Sequence, residues 1–128
     1  YLHSKSKDGW MMYDPIEDYT RLGMISSSSS PVSTGFSSTP TKPPPPFRIF
    51  ENNYQLTSTY PSLFLVPRTI SDDVIVRAAE YRSRKRTVAA VWMDPETRVS
   101  LSRCSQPMRG LANHSSIDDQ NLVRILFV

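Results

Sequence analysis

Residues 26–46 constrain this chain more than any other stretch. They begin with five serines, continue through Ser, Thr and Pro, and end in Pro43-Pro44-Pro45-Pro46. Such a segment buries too little apolar surface to offset the entropy of ordering it. It is expected to form a disordered loop with an extended polyproline exit. The parts that can build a core are therefore 1–25 and 47–128, and together they allow one small domain at most. Hydrophobic content is 38%, low for a packed domain, and the deficit lies mainly in the Ser/Pro stretch.

Before that stretch, residues 8–23 read as a short first element. Asp14 can cap a helix with Pro15 at its first position, where a missing N–H costs nothing. Glu17 and Asp18 suit the positive end of the helix dipole, Ile16, Tyr19 and Leu22 form an apolar stripe, and Gly23 is a natural stop. After the stretch, residues 47–50 are a strand candidate, and Leu63-Phe64-Leu65-Val66, closed by Pro67, suits a buried strand.

Residues 71–86 carry the clearest helix signal. Ser71 is the expected N-cap, Asp72 and Asp73 fill the first turn, and Ile70 and Ile75 occupy the positions of a hydrophobic staple. The predicted end is basic, with Arg82, Arg84, Lys85 and Arg86 at the negative end of the dipole. Residues 87–93 form a second buried strand candidate. Asp94-Pro95-Glu96-Thr97 supplies turn chemistry, and the alternation over 98–104 completes an antiparallel hairpin. That alternation puts Val99 and Leu101 on one face and Ser100 and Ser102 on the other. Asp118-Asp119 opens a last helix, and Trp10 and Trp92 are expected as packing residues.

Composition narrows the function. The net charge of +3 is mild, and no aromatic residues interleave the basic run, which argues against nucleic acid. One cysteine, Cys104, excludes an internal disulfide and fits a reducing compartment. No apolar run approaches the ~20 residues of a membrane span, so membrane contact is expected to be peripheral. His3 and His114 lack partners at metal spacing, and the 4 glycines form no nucleotide loop, so neither a metal nor a cofactor is expected. The chain opens at Tyr1 without a Met and stops inside the apolar run 122–128, which suggests a piece of a larger domain whose last element is left uncovered.

Cys104 and Arg109 invite comparison with cysteine phosphatases. Those enzymes place a thiolate and an arginine at the ends of a tight loop whose N–H groups cradle phosphate. The loop requires five intervening residues. Here there are four, and the position where arginine is needed is Gly110. Pro107 also removes a donor. No catalytic residue is assigned, and Cys104 reads as the end of a strand. Arg82, Arg84, Lys85 and Arg86 can meet phosphate head groups or an anionic membrane, although a solvated helix end is the plainer reading. Pro43, Pro46 and Arg48 match the polarity of an SH3 ligand, a pattern that arises easily in proline-rich linkers.

Several blocks together resemble the N-terminal part of the myotubularin phosphatase domain. They are Gly9-Trp10 with Tyr13-Asp14-Pro15 and Asp18-Tyr19-x-Arg21-x-Gly23; Phe47-Arg48-Ile49, Asn53-Tyr54 and Thr59-Tyr60-Pro61; Leu65-Val66-Pro67; and Tyr81 through Arg86. Asp94-Pro95-Glu96-Thr97, Arg103-Cys104-Ser105-Gln106-Pro107 and Asp118-Asp119-Gln120-x-Leu122 complete the set, and their order holds over nearly the whole chain. The resemblance implies a mixed α/β (α+β) fragment of a cysteine-phosphatase-like domain, with short helices, buried strands and an antiparallel hairpin around a partial core. It divides the chain into an opening segment 1–25, a Ser/Pro insertion 26–46 and a partial phosphatase domain 47–128. It also implies removal of the 3-phosphate from phosphatidylinositol 3-phosphate and 3,5-bisphosphate, on cytoplasmic faces of endosomal or other intracellular membranes, in homo- or hetero-oligomers with other myotubularins. The family's Cys-Ser-Asp-Gly-Trp-Asp-Arg loop is absent here, and Cys104 matches a structural cysteine. The family also includes inactive members that partner active ones. A non-catalytic adaptor, using the proline segment to recruit an SH3 domain, is the alternative.

Overall fold

The computed structural model describes residues 13–26, 43–110 and 114–126. Expectations that fall on other residues, including Trp10, His3, most of the Ser/Pro stretch and the first part of the opening element, lie outside them.

Helix α1 spans Pro15–Arg21. Asp14 caps it, with Oδ1 accepting the N–H groups of Ile16 at 2.9 Å and Glu17 at 3.4 Å. Gly23 turns the chain at φ 70°, a conformation that other residues adopt only with strain. The turn drives Leu22, Met24 and Ile25 inward, while Ile16 stays 40% exposed, so the expected apolar stripe is narrower than its spacing suggests.

Among the described residues the sheet has four strands in the order β1-β2-β3-β4, every pair antiparallel. They are β1 Phe47–Glu51, β2 Leu63–Pro67, β3 Ala89–Met93 and β4 Ser100–Arg103. Three helices complete a small α+β fold among the described residues: α1, α2 Asp72–Glu80 and α3 Ile117–Leu126. Register sorts the core. Phe50 faces Phe64, and with Val66 and Ala89 they meet Ile75 and Ala78 of α2 and Leu122 of α3. Leu65 pairs with Ala90, and with Phe47 and Met93 they meet Leu22, Met24 and Ile25. Strand β2 is thus covered on both sides, as its continuous apolar run predicts.

Several expectations need correction. The helix at 71–86 stops at Glu80, and Ser71 stands at its N-cap without a side-chain hydrogen bond. The chain then enters a short 3₁₀ turn, Ser83–Lys85, with Arg84 and Lys85 at φ 54° and 55°. The basic run is therefore a turn, not a helix end. Strand β3 begins at Ala89, and an irregularity between Ala90 and Trp92 leaves Val91 and Trp92 exposed. Trp92 is not a packing residue. Val99, just before β4, and Leu101 on it point outward, at 65% and 59% exposure. The last helix is not left uncovered: Leu122 is fully buried, and Val123 and Leu126 pack on the core.

The loop between β1 and β2 is organised by buried Asn52. Its Nδ2 donates to the carbonyls of Thr57 at 2.8 Å and Pro61 at 3.1 Å. Its Oδ1 accepts the N–H groups of Leu56 and Thr57. One amide thus satisfies four backbone groups and fixes the position of the intervening residues.

Candidate functional site

The charged residues after α2 separate into two sets. Arg82 turns inward and is 8% exposed. Its Nε and Nη2 each donate at 2.7 Å to one carboxylate oxygen of Asp119 on α3. Its Nη1 reaches the carbonyl of Ser105 at 2.9 Å and Cys104 Sγ at 3.4 Å. Burial works against the Arg82 charge, but the hydrogen bonds and charge of Asp119 outweigh it and raise its pKa above the ordinary arginine value. A second ion pair, Arg77 Nε to Asp118 Oδ2 at 2.8 Å, ties α2 to α3 on the surface.

Backbone pairing docks 81–83 against 105–108. Ser83 N–H donates to Gln106 O, Met108 N–H to Tyr81 O, and Ser105 N–H to Arg86 O. These bonds decide what the Cys104 segment can do. A phosphate cradle needs convergent, unused N–H groups. Here those of Ser105 and Met108 are engaged, and Pro107 has none. Arg109 is exposed, with no hydrogen bond or ion pair to the Cys104 thiol.

Arg84 and Lys85 project from the turn into solvent, and Lys85 pairs with Glu80 at 2.7 Å. Arg86 is half-buried, and its Nε donates to Thr59 Oγ1 at 2.7 Å. Arg103, at the end of β4, lies over the Tyr60 ring with its guanidinium carbon 5.8 Å from the centroid. Tyr60 is buried, and its hydroxyl donates to Thr87 O at 2.9 Å. Burial raises the Tyr60 pKa, and Arg103, Arg86 and Arg82 oppose the rise.

The proline motif is placed differently from an SH3 ligand. Arg48 donates twice to Ile70 O and pairs with Asp72 at 2.6 Å, so its guanidinium is held against α2. Pro46 O accepts the N–H of Arg68, and Pro44 O accepts from Arg98 Nη2. Among the described residues, no group of three or more His, Cys, Asp or Glu could hold a metal ion, and no helix is long and apolar enough to cross a membrane.

Sequence reasoning singled out the basic run but missed Asp119, Thr59, Tyr60 and Arg103 as its neighbours. Arg82 and Asp119 lie 37 positions apart, and no local pattern records such a pair.

Comparison with known proteins covers the same ground. A family model for the myotubularin-like phosphatase domain matches residues 1–128. Rat myotubularin is 37% identical over 121 residues, 93% of this chain and 17% of its own length. The phosphatidylinositol-3,5-bisphosphate 3-phosphatase MTMR2 of Pongo abelii is 33% identical over 122 residues, 94% of this chain and 16% of its own. The chain therefore spans about a sixth of the length of these relatives.

Proposed function

The chain belongs to the myotubularin-like phosphatase family, and from that membership we propose that it is a scaffold segment of a phosphoinositide 3-phosphatase domain. The observation that carries the reading is where the similar blocks meet. The Tyr81–Arg86 block, the Arg103–Pro107 block and the Asp118–Asp119 block meet at Arg82. The segment thus holds a fixed frame for chemistry performed elsewhere in the parent domain. The substrates are phosphatidylinositol 3-phosphate and 3,5-bisphosphate, as the name of the MTMR2 relative indicates for the latter.

The chain divides into an opening segment 1–25, a Ser/Pro insertion 26–46 and the partial phosphatase domain 47–128. Arg84, Lys85 and Arg86 face anionic head groups, while Arg82 holds the turn from within. The parent works at the cytoplasmic face of endosomal or other intracellular membranes and assembles with itself or with other myotubularins. The adaptor alternative loses support from Arg48, whose guanidinium an SH3 groove would have to detach from Ile70 and Asp72.

Phosphate release tests the proposal. The full-length parent is expected to release phosphate from both 3-phosphorylated lipids and not from phosphatidylinositol 4-phosphate. The 128-residue chain alone, lacking a Cys-x5-Arg loop, is expected to release none. Release by the chain alone that Cys104→Ser abolishes would overturn the scaffold reading. A parent with an intact catalytic loop and no activity on either lipid would overturn the substrate.

A further inference from the structure

Arg86 and Arg103 differ from several of the cations near them. Arg77, Arg82 and Lys85 each hold a carboxylate, from Asp118, Asp119 and Glu80. Arg86 and Arg103 hold none among the described residues, although both are brought to consecutive residues of one loop. Arg86 is hydrogen-bonded to Thr59, and Arg103 lies over Tyr60. Two cations gathered at one loop without a carboxylate favour an anion there.

The loop that gathers them is held by its own hydrogen bonds. Asn52 fixes it at both ends, and Tyr60 is anchored through its hydroxyl to Thr87 O. Thr59 Oγ1 is also within 3.2 Å of Thr57 Oγ1. The guanidinium of Arg86 is thus oriented before any ligand arrives, which lowers the ordering cost of binding. Arginine's planar fork suits phosphate oxygens. Arg84, exposed on the adjoining turn, adds charge to the same region and holds no carboxylate among the described residues.

We infer that Arg86 and Arg103, ordered by Thr59 and Tyr60, form a binding site for a phosphate monoester dianion. The inference deepens the lipid-facing reading above and rests on it for the source of the phosphate, an inositol lipid head group. Thr59 is a positioning residue that acts through Arg86.

The test uses the full 128-residue chain and follows the arginine Nε–H resonances by NMR. Inorganic phosphate, then soluble inositol 1,3-bisphosphate, are titrated at constant ionic strength. The expected result is a saturable shift of the Arg86 and Arg103 signals that chloride does not produce. Arg86→Gln and Arg103→Gln are each expected to weaken binding about tenfold or more, the scale of one charge-assisted hydrogen bond. Arg124→Gln, a substitution of an exposed arginine on α3, is expected to leave it unchanged. In Thr59→Val the Arg103 response persists while the Arg86 signal loses its distinct position. Shifts that chloride reproduces at the same ionic strength, or Gln variants that bind as wild type, overturn the site.

Sedimentation with vesicles separates this outcome from failure of the lipid reading. Vesicles carrying phosphatidylinositol 3-phosphate are compared with phosphatidylserine vesicles of equal charge. Binding of the first that both Gln variants reduce supports the site and its source. Saturable phosphate binding without preference for these vesicles keeps the site and overturns the lipid source. Vesicle binding that depends on Arg84 and Lys85 but not on Arg86 or Arg103 overturns the site and leaves the lipid-facing turn standing.

Discussion

At the scale of single residues, Arg82 shows how a residue's type can be legible while its role is not. The sequence places it in a run of cations, where exposure is the ordinary outcome. The structure buries it against Asp119 through two 2.7 Å hydrogen bonds. The two side chains are 9% and 6% exposed, so little water remains to solvate either charge alone. Removing one partner of such a pair costs about 3–5 kcal/mol, whereas replacing both by apolar residues of similar volume is often close to neutral. Urea unfolding is therefore expected to show a loss of that order for Arg82→Met and for Asp119→Leu. The double variant should be markedly more stable than the sum of the two losses implies. Strict additivity would show that the pair is not coupled, and that Arg82 acts only through Ser105 and Cys104. The exposed pair Arg77–Asp118 provides the contrast, since water solvates both charges and screens their attraction.

At the scale of elements, what was legible follows from what acts locally. The α1 cap, the apolar run of β2 and the turn at 94–97 are set by neighbours a few positions away, and each appears where the pattern puts it. The end of α2 was not legible. Nothing in 81–86 breaks a helix by propensity, since Arg and Lys are good helix formers. The break comes from outside, from backbone pairing of 81–83 with 106–108 and from the pull of Asp119 on Arg82. The β3–β4 turn offers a test of local control. Asp94 accepts the N–H groups of Glu96 and Thr97 and the Thr97 hydroxyl. Hydrogen bonding from the Thr97 side chain, and then from the Glu96 backbone, holds the Asp94 pKa below its ordinary 3.8. A carboxylate whose pKa is lowered by folding stabilises the fold above its unfolded pKa and loses that contribution as pH falls through the folded value. The midpoint of the pH-dependent movement of the Glu96 and Thr97 amide resonances is expected to lie below 3.8. Asp94→Asn should flatten that titration, and amides that titrate unchanged in the variant would assign the effect to another carboxylate.

At the scale of the whole molecule, the two ends of the sheet are covered unequally. Helices α2 and α3 and the segment after α1 enclose β2. The hairpin at the other end of the sheet leaves Trp92, Val99 and Leu101 at 46%, 65% and 59% exposure. The alternation of β4 fixed which residues share a face, but it held no information on which face meets the core. A one-position shift in register exchanges the two, and here the irregularity between Ala90 and Trp92 resets the phase. Among the described residues, strand β4 is also a terminal strand of the sheet. An outer strand next to exposed apolar residues is a template for association unless charge or cover prevents it. The 128-residue chain is thus expected to self-associate reversibly between about 1 µM and 1 mM, the range in which exposed strand edges become aggregation-prone. Sedimentation velocity is expected to show a concentration-dependent mean mass for the wild-type chain and a monomer for Leu101→Lys. Because Leu101 already faces solvent, the substitution removes apolar surface without opening the core, and the thermal midpoint should stay within a few degrees of wild type. A wild-type chain that remains monomeric across this range would show that the hairpin face is compatible with water as it stands. Association that survives Leu101→Lys would move the contact to another surface, and Met108 and Ile117, at 52% and 68% exposure, are the next apolar side chains to replace.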